Sequence, residues 1–250
     1  TTFISKIGKD GNANFILEDF KKAGIHTQYI LTSESEETGQ AFITVDEAGQ
    51  NTILVYGGAN MTLSATDVEM SAEAFIGADF VVAQLEVPFE AIEQAFKIAR
   101  KQNITTVLNP APAIELPKSL LELTDIIIPN ETEAELLTGI SINNESDMKE
   151  TATYFLDLGI SAVLITLGKQ GTYCAYQEQY KMIPACNVKA VDTTAAGDTF
   201  IGAFLSELNK DLSNLESAIR LANQASSLTV QRKGAQASIP TRKEVEAEYN

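Results

Sequence analysis

The stretch best equipped for chemistry is Val191-Asp192-Thr193-Thr194-Ala195-Ala196-Gly197-Asp198-Thr199-Phe200. It joins an extended segment to a long helix that begins near Gly197. Small residues at Ala195, Ala196 and Gly197 let a ligand approach the backbone. The first amides of a helix have no intrahelical acceptor, so their N–H groups point outward and favour an anion such as a phosphoryl group. One preorganised donor aimed at developing charge contributes about 3–4 kcal/mol. Asp198, in the first turn, is placed to take a proton from an attacking hydroxyl, typically worth about 10²–10⁴ in rate. Spacing alone accounts equally well for Asp198 as an acid that favours the positive end of the helix dipole.

Other candidates carry less by themselves. Asn130-Glu131-Thr132-Glu133 reads as an ordinary capped helix start. Glu86 stands beside Pro88 as a solvated acid, and Ala41, Ile43 and Val55 alternate on one face of a hairpin with period two. Several reaction classes drop out. The chain has no G-x-x-x-x-G-K-[ST] loop, no G-x-G-x-x-G after a strand and no G-x-S-x-G elbow. His26 is the single histidine, and Cys174 and Cys186 are the two cysteines, too few for a Ser/His/Asp triad, a zinc site or a disulfide framework. The net charge of −16 argues against a polynucleotide partner, because such binding draws on Lys and Arg neutralising phosphates. No apolar run approaches a membrane span.

The elements that must position these residues are legible in outline. Residues 2–7 read as a buried strand, and Phe15, Ile16, Phe20 and Ala23 recur at helical spacing before Gly24. Segments 28–31, 39–46 and 51–56 are β-rich and closely spaced, with Glu47-Ala48-Gly49-Gln50 as a turn, which predicts a small antiparallel sheet apart from the main body. A helix over 64–78 opens with Ser64 and Asp67 as a capping box. Strand 80–85 precedes helix 89–102, with Pro88 as its N1 proline. Strand 105–108, helix 116–123, strand 125–128, helix 131–137 closed by Gly139, helix 147–158 and strand 162–166 follow. Strands 172–176 and 180–183 form a hairpin, and two helices over 197–209 and 215–232 finish the chain. Buried strands alternating with helices predict one α/β domain, a mostly parallel sheet covered on both faces, with a β-rich lid at about 28–56.

Within the 191–200 stretch, Asp192 to Phe200 resembles the second signature of the PfkB/ribokinase carbohydrate kinases. Further segments resemble the family in the same order: Gly57-Gly58-Ala59-Asn60, Gln84-Leu85-Glu86-Val87-Pro88, Leu108-Asn109-Pro110-Ala111-Pro112-Ala113, Pro129 to Glu135, Ile165-Thr166-Leu167-Gly168, and Arg232-Lys233-Gly234-Ala235-Gln236. The resemblance covers essentially the whole chain. It implies a ribokinase-like three-layer α/β sandwich with a small β lid, and phosphorylation of D-ribose at the 5-hydroxyl by ATP with Mg²⁺ and K⁺. It implies Asp198 as the base, with Ala195, Ala196 and Gly197 as the anion hole. Asn130 and Glu133 would organise Mg²⁺ and phosphate through water. Thr166, Leu167, Gly168, Lys169, Gln170 and Gly171 would wrap the nucleotide, and Asn223 stands where the family often has a His near the adenine. Asp192, Thr194, Thr229, Arg232, Gly234 and Ser238 would form a monovalent-cation site, several of them through backbone carbonyls. Glu86, Ala41, Ile43 and Val55 would contact the sugar. Pairing through the lid implies a homodimer, and the family implies the cytoplasm.

Two alternatives stay open: another sugar or nucleoside kinase of the same family, or a non-catalytic sugar- or nucleotide-binding protein. The resemblance also implies a strand with a sugar-binding Asp and a Gly-Gly-Lys-Gly-Ala-Asn segment upstream of Thr1, so that the 250 residues alone would be inactive.

Overall fold

A computed structural model describes residues 1–45 and 51–249, the side chains of residues 43–53 excepted. The chain divides into two compact units, Thr1–Thr106 and Val107–Asn250.

In the first unit, β1 (Thr2–Ile7) pairs in parallel with β2 (His26–Thr32). The chain returns through α1 (Gly11–Lys22), which opens where Asp10 accepts the Ala13 amide (2.9 Å) and closes before Gly24, held at φ +71°. A glycine takes that left-handed conformation without the Cβ penalty. The expected three-strand antiparallel sheet is therefore corrected. β2 follows β1 through a crossover helix, and of the expected three strands it is β3 (Gln40–Val45) and β4 (Asn51–Tyr56) that form an antiparallel pair. The turn expected at 47–50 lies outside the described residues. Phe15 is a further correction: it is exposed, and Ala13 is the buried residue of α1.

Beyond the hairpin, α2 (Ala65–Met70) has the expected Ser64/Asp67 capping box. It ends sooner than the apolar spacing suggests. The Ser71 hydroxyl bonds back to the Asp67 carbonyl (2.9 Å), and a 3-10 turn at Ala72–Phe75 replaces the rest of the helix. Hydroxyls that bond back in this way compete with the helix ladder and bend it. β5 (Phe80–Ala83) leads to α3 (Phe89–Lys101), where Pro88 is the cap residue rather than the first helical one. Leu63, Val68, Phe75, Ala91, Ala99 and Ile104 form this unit's core.

β6 (Thr105–Leu108) carries the chain into the second unit. There β6, β7 (Ile126–Ile127) and β8 (Ala162–Thr166) run parallel, and β9 (Gly171–Tyr176) and β10 (Gln179–Pro184) add antiparallel strands. The four residues from Ala162 to Ile165 are all wholly buried, as a strand covered on both faces requires. Helices α4 (Lys118–Leu121), shorter than expected, α5 (Glu131–Thr138) and α6 (Glu145–Asp157) connect the parallel strands. After the β9–β10 hairpin come α7 (Ala196–Glu207) and α8 (Leu215–Thr229). A further helix, α9 (Arg242–Tyr249), was not expected; its charged sequence buries only Val245 and shows little amphipathic pattern. No helix among the described residues is long and apolar enough to cross a membrane.

Candidate active site

The loop entering α7 is built around Asp192. Just before it, the Val230 carbonyl accepts both the Val191 amide (2.7 Å) and the Asp192 amide (3.1 Å). The Asp192 carboxylate accepts the Thr194 amide through one oxygen and the Gly234 amide through the other, each at 3.0 Å. These donors, the Gly234 amide foremost, hold the Asp192 carboxyl down to about 2. A charged acceptor shared by two loops is a stronger tie than a neutral one. It joins residues 192–194 to residues 232–238.

That tie supports an unusual helix start. Ala195 sits at φ +60°, a left-handed conformation that costs a residue with a Cβ roughly 1–2 kcal/mol. Bonds from the Ala196 amide to the Thr193 carbonyl (3.3 Å) and from the Thr199 amide to the Ala195 carbonyl (2.9 Å) keep it there. From α8, the Ser226 hydroxyl donates to the Ala196 carbonyl (2.9 Å), and the buried Thr229 hydroxyl donates to that of Thr199 (3.0 Å). No side chain caps α7, whereas Asp10, Ser64, Asn130 and Asn144 cap α1, α2, α5 and α6. Gly197 is exposed, its φ is ordinary, and a Cβ added to it would meet nothing within 4 Å. Nothing among the described residues therefore requires glycine at 197, and the backbone there lies open to close approach. Asp198 is exposed on the same first turn.

The neighbouring loop bears on the expected cation ligands. Ser238 is wholly buried, with its hydroxyl on the Ala235 carbonyl (2.6 Å). The Arg232 guanidinium pairs with Glu244 of α9 at 2.7 Å. The Thr229 hydroxyl is turned into the α7–α8 contact. Arg232 and Thr229 could thus serve a cation only through main-chain carbonyls. Among the described residues no group of three or more His, Cys, Asp or Glu side chains is arranged to cage a metal.

A second cluster lies at the ends of β7 and β8. Asn130 and Glu133 form the expected capping box. The Asn130 amide and side-chain nitrogen donate to the two Glu133 carboxylate oxygens, and the Glu133 amide donates to Asn130 Oδ1, all at 2.8 Å. Glu133 is only 6% exposed, and burial pushes its carboxyl upward against the lowering pull of the Asn130 amide. Thr166 bridges in parallel to Asn130, and its amide donates to the Pro129 carbonyl (2.9 Å). The structure thus brings Asn130 and Thr166, 36 positions apart in sequence, side by side.

Leu167 leads from β8 into a 3-10 turn, Gly168–Gln170, exposed at Gly168, Lys169 and Gln170, and Gly171 begins β9. Gly171 is obligatory for packing. It sits at φ +113°, and an added Cβ would lie 2.1 Å from the Ile183 carbonyl oxygen. Asn223 departs from expectation. Its Nδ2 donates to the Ile183 and Pro184 carbonyls (3.1 and 3.2 Å) and its Oδ1 accepts the Thr172 hydroxyl (3.0 Å). The side chain is a buried brace for the β9–β10 hairpin, and reaching a nucleotide base would break those bonds.

The expected sugar contacts lie in the first unit. Glu86 is exposed just beyond β5. Ala41 and Val55 face each other in register on the hairpin, and the Ile43 side chain lies outside the described ones. Sequence reasoning missed Ser226 and Val230; Ser226 lies three residues before Thr229 on α8, a spacing that could have revealed it.

Comparison with known proteins is consistent with this geometry. Residues 1–242 match the family described as pfkB family carbohydrate kinase. The chain is 64% identical to the ribokinase of Staphylococcus aureus over 245 residues, 98% of this chain and 81% of that one. It is 34% identical to the deoxyribokinase of Salmonella typhi over 239 residues, 95% of this chain and 78% of that one. The solved structure of Arabidopsis thaliana ribokinase complexed with ribose and ATP superposes with a TM-score of 0.92 at 32% identity, covering 99% of this chain and 81% of that one. The fold is ribokinase-like, α/β with a mostly parallel sheet, and the chain belongs to the pfkB family of carbohydrate kinases.

Proposed function

We propose that this enzyme transfers the γ-phosphoryl group of ATP to the 5-hydroxyl of D-ribose. The observation that carries the reading is the uncapped start of α7, with Gly197 exposed beside open space and Asp198 on the same turn. Asp198 takes the proton of the attacking hydroxyl as the new O–P bond forms. The bond from the γ-phosphorus to the bridging oxygen breaks, and ADP leaves with that electron pair. The Gly197 amide would face the charge that spreads over the γ-phosphoryl oxygens, while the Ala196 amide is already engaged by the Thr193 carbonyl. The 64% identity to a ribokinase over almost the whole chain supports ribose as the sugar.

Mg²⁺ fits a site that supplies few direct ligands. Such an ion keeps several waters and binds through substrate phosphates with one or two carboxylates. Glu133 would orient those waters, since each of its oxygens accepts one bond from Asn130 and retains a second lone pair. The metal neutralises charge on the β- and γ-phosphates when bound. K⁺ would sit at the loops joined by Asp192, whose carboxylate ties the Thr194 and Gly234 amides, with main-chain carbonyls of those loops as its ligands. Thr166 to Gly171 would follow the nucleotide. Glu86, Ala41, Ile43 and Val55 would meet the sugar. Exposed Phe42 and Leu54, paired on the opposite hairpin face, suit contact with a second copy in a homodimer. ATP as co-substrate suits the cytoplasm.

The test is ADP release by the full-length protein across D-ribose, 2-deoxy-D-ribose, D-fructose and adenosine. The reading requires kcat/KM for ribose to exceed the others by at least tenfold. Preference for another acceptor would reassign the substrate, and release independent of any acceptor would overturn the kinase reading.

A further inference from the structure

The β3–β4 hairpin forms a two-stranded sheet of its own. Such a pair is marginally stable alone, so its placement depends on where it is rooted. Its two stems cross at close range. On the outgoing side the Ala59 amide donates to the Glu37 carbonyl (2.7 Å). Gly58, at φ +49°, has no room for a Cβ, which would lie 2.4 Å from the Glu37 oxygen. A Cβ on Gly39 would lie 2.9 Å from the Gly57 oxygen. On the incoming side, Thr38 is 3% exposed and is gripped by a residue 28 positions earlier. Asp10 Oδ2 accepts the Thr38 amide (2.6 Å), and Oδ1 accepts both the Thr38 hydroxyl and the Ala13 amide (each 2.9 Å). The same Thr38 hydroxyl accepts the Gly8 amide (3.0 Å). Gly8 must be glycine, since its Cβ would fall 2.5 Å from the Thr38 nitrogen.

One carboxylate thus does two things. It caps α1, and it fastens the root of the hairpin to the end of β1. Capping alone needs one oxygen, and Ser or Asn serves equally well. The second oxygen and the grip on Thr38 are surplus to capping. We propose that Asp10 is a positioning residue for the sugar site: its carboxylate latches the root of the β3–β4 hairpin, so that the face bearing Ala41 and Val55 is held for the sugar. The donors around it, the Thr38 amide foremost, also lower its carboxyl below the ordinary value, so the latch is a charged one. The role in catalysis rests on the proposed ribose kinase reading; the latch itself does not.

The test uses Asp10→Ser in the full-length protein. Serine keeps one oxygen for the Ala13 amide but cannot also reach Thr38. Thr38→Val, which removes only the hydroxyl link, is the second variant. Two readouts are taken: KM and kcat for ribose and for ATP, and amide hydrogen exchange of residues 40–45 and 54–56 against α1. The latch predicts that Asp10→Ser speeds hairpin exchange at least tenfold and leaves α1 exchange within twofold. It predicts a rise of at least tenfold in KM for ribose, with KM for ATP within twofold, and Thr38→Val shifting both in the same direction by less. Hairpin exchange and ribose KM within twofold of wild type in both variants would overturn it. So would α1 and hairpin exchange rising together, which is what a mere helix cap would give. If wild type does not phosphorylate ribose, the kinase reading fails, and hairpin exchange alone decides the latch.

Discussion

Replacing Asp198 with Asn removes the proton acceptor while keeping size and shape. Asp198 is exposed on the first turn of a helix whose start is tied by bonds to Thr193, Ala195, Ser226 and Thr229. Loss of the charge forfeits a macrodipole interaction, about 0.3–1 kcal/mol at an exposed site. For a chain of this length that shifts the melting temperature by no more than about 4 °C. Loss of a general base costs about 10²–10⁴ in kcat, or roughly 2.7–5.5 kcal/mol of barrier. The two magnitudes separate function from folding. Steady-state ADP release with ribose should show kcat down at least about 100-fold. Calorimetric ATP binding should stay within a few-fold, because the proposed phosphate donor at Gly197 is a backbone amide. A variant keeping more than about a tenth of wild-type kcat would refute the general-base role. A melting temperature lowered by more than about 10 °C would refute the claim that the helix start stands without this side chain.

Three further outcomes follow from the same geometry. Turnover should be higher in K⁺ than in Na⁺ at fixed ionic strength, and equal rates would dismiss the cation reading of the loops joined by Asp192. Gly171→Ala should destabilise by at least about 3 kcal/mol, since it combines a conformation nearly closed to alanine with a backbone clash, and a denaturant melt reads this directly. Asp192 and Glu244, each held down to about 2, contribute stability that is fully present above the ordinary carboxylate range and lost as pH falls from about 4 toward 2. The combined Asp192→Asn and Glu244→Gln variant should show a smaller drop in melting temperature between pH 5 and pH 2.5, and an unchanged drop would discount both ties.

Much of the local architecture is legible in residue order because the bonds concerned span three or four positions. Ser64 with Asp67, Asn130 with Glu133, and Gly139 after α5 each announce a helix end through contacts made within one turn. The buried run from Ala162 to Ile165 announces a covered strand in the same way. The 191–200 stretch identifies a helix start suited to an anion, and its likeness to a kinase signature agrees with the family found by comparison.

Other features depend on contacts far apart in sequence. Residues 26–32 have the composition of a strand in either sheet, and pairing with β1 across α1 decides which. The helix begun at Ser64 stops where one hydroxyl, Ser71, competes for a carbonyl, although the apolar spacing continues to Phe75. α9 lacks an apolar stripe and is held through Glu244 to Thr241 and Arg232. Asn223 could be read as a nucleotide contact until β9 and β10 claim its amide. Asp10 reads as a helix cap, and only the fold adds Thr38 from 28 positions away. Short-range hydrogen bonds and side-chain period are written into neighbouring residues. Which of several polar partners a buried group takes is settled when packing removes water and leaves one within reach.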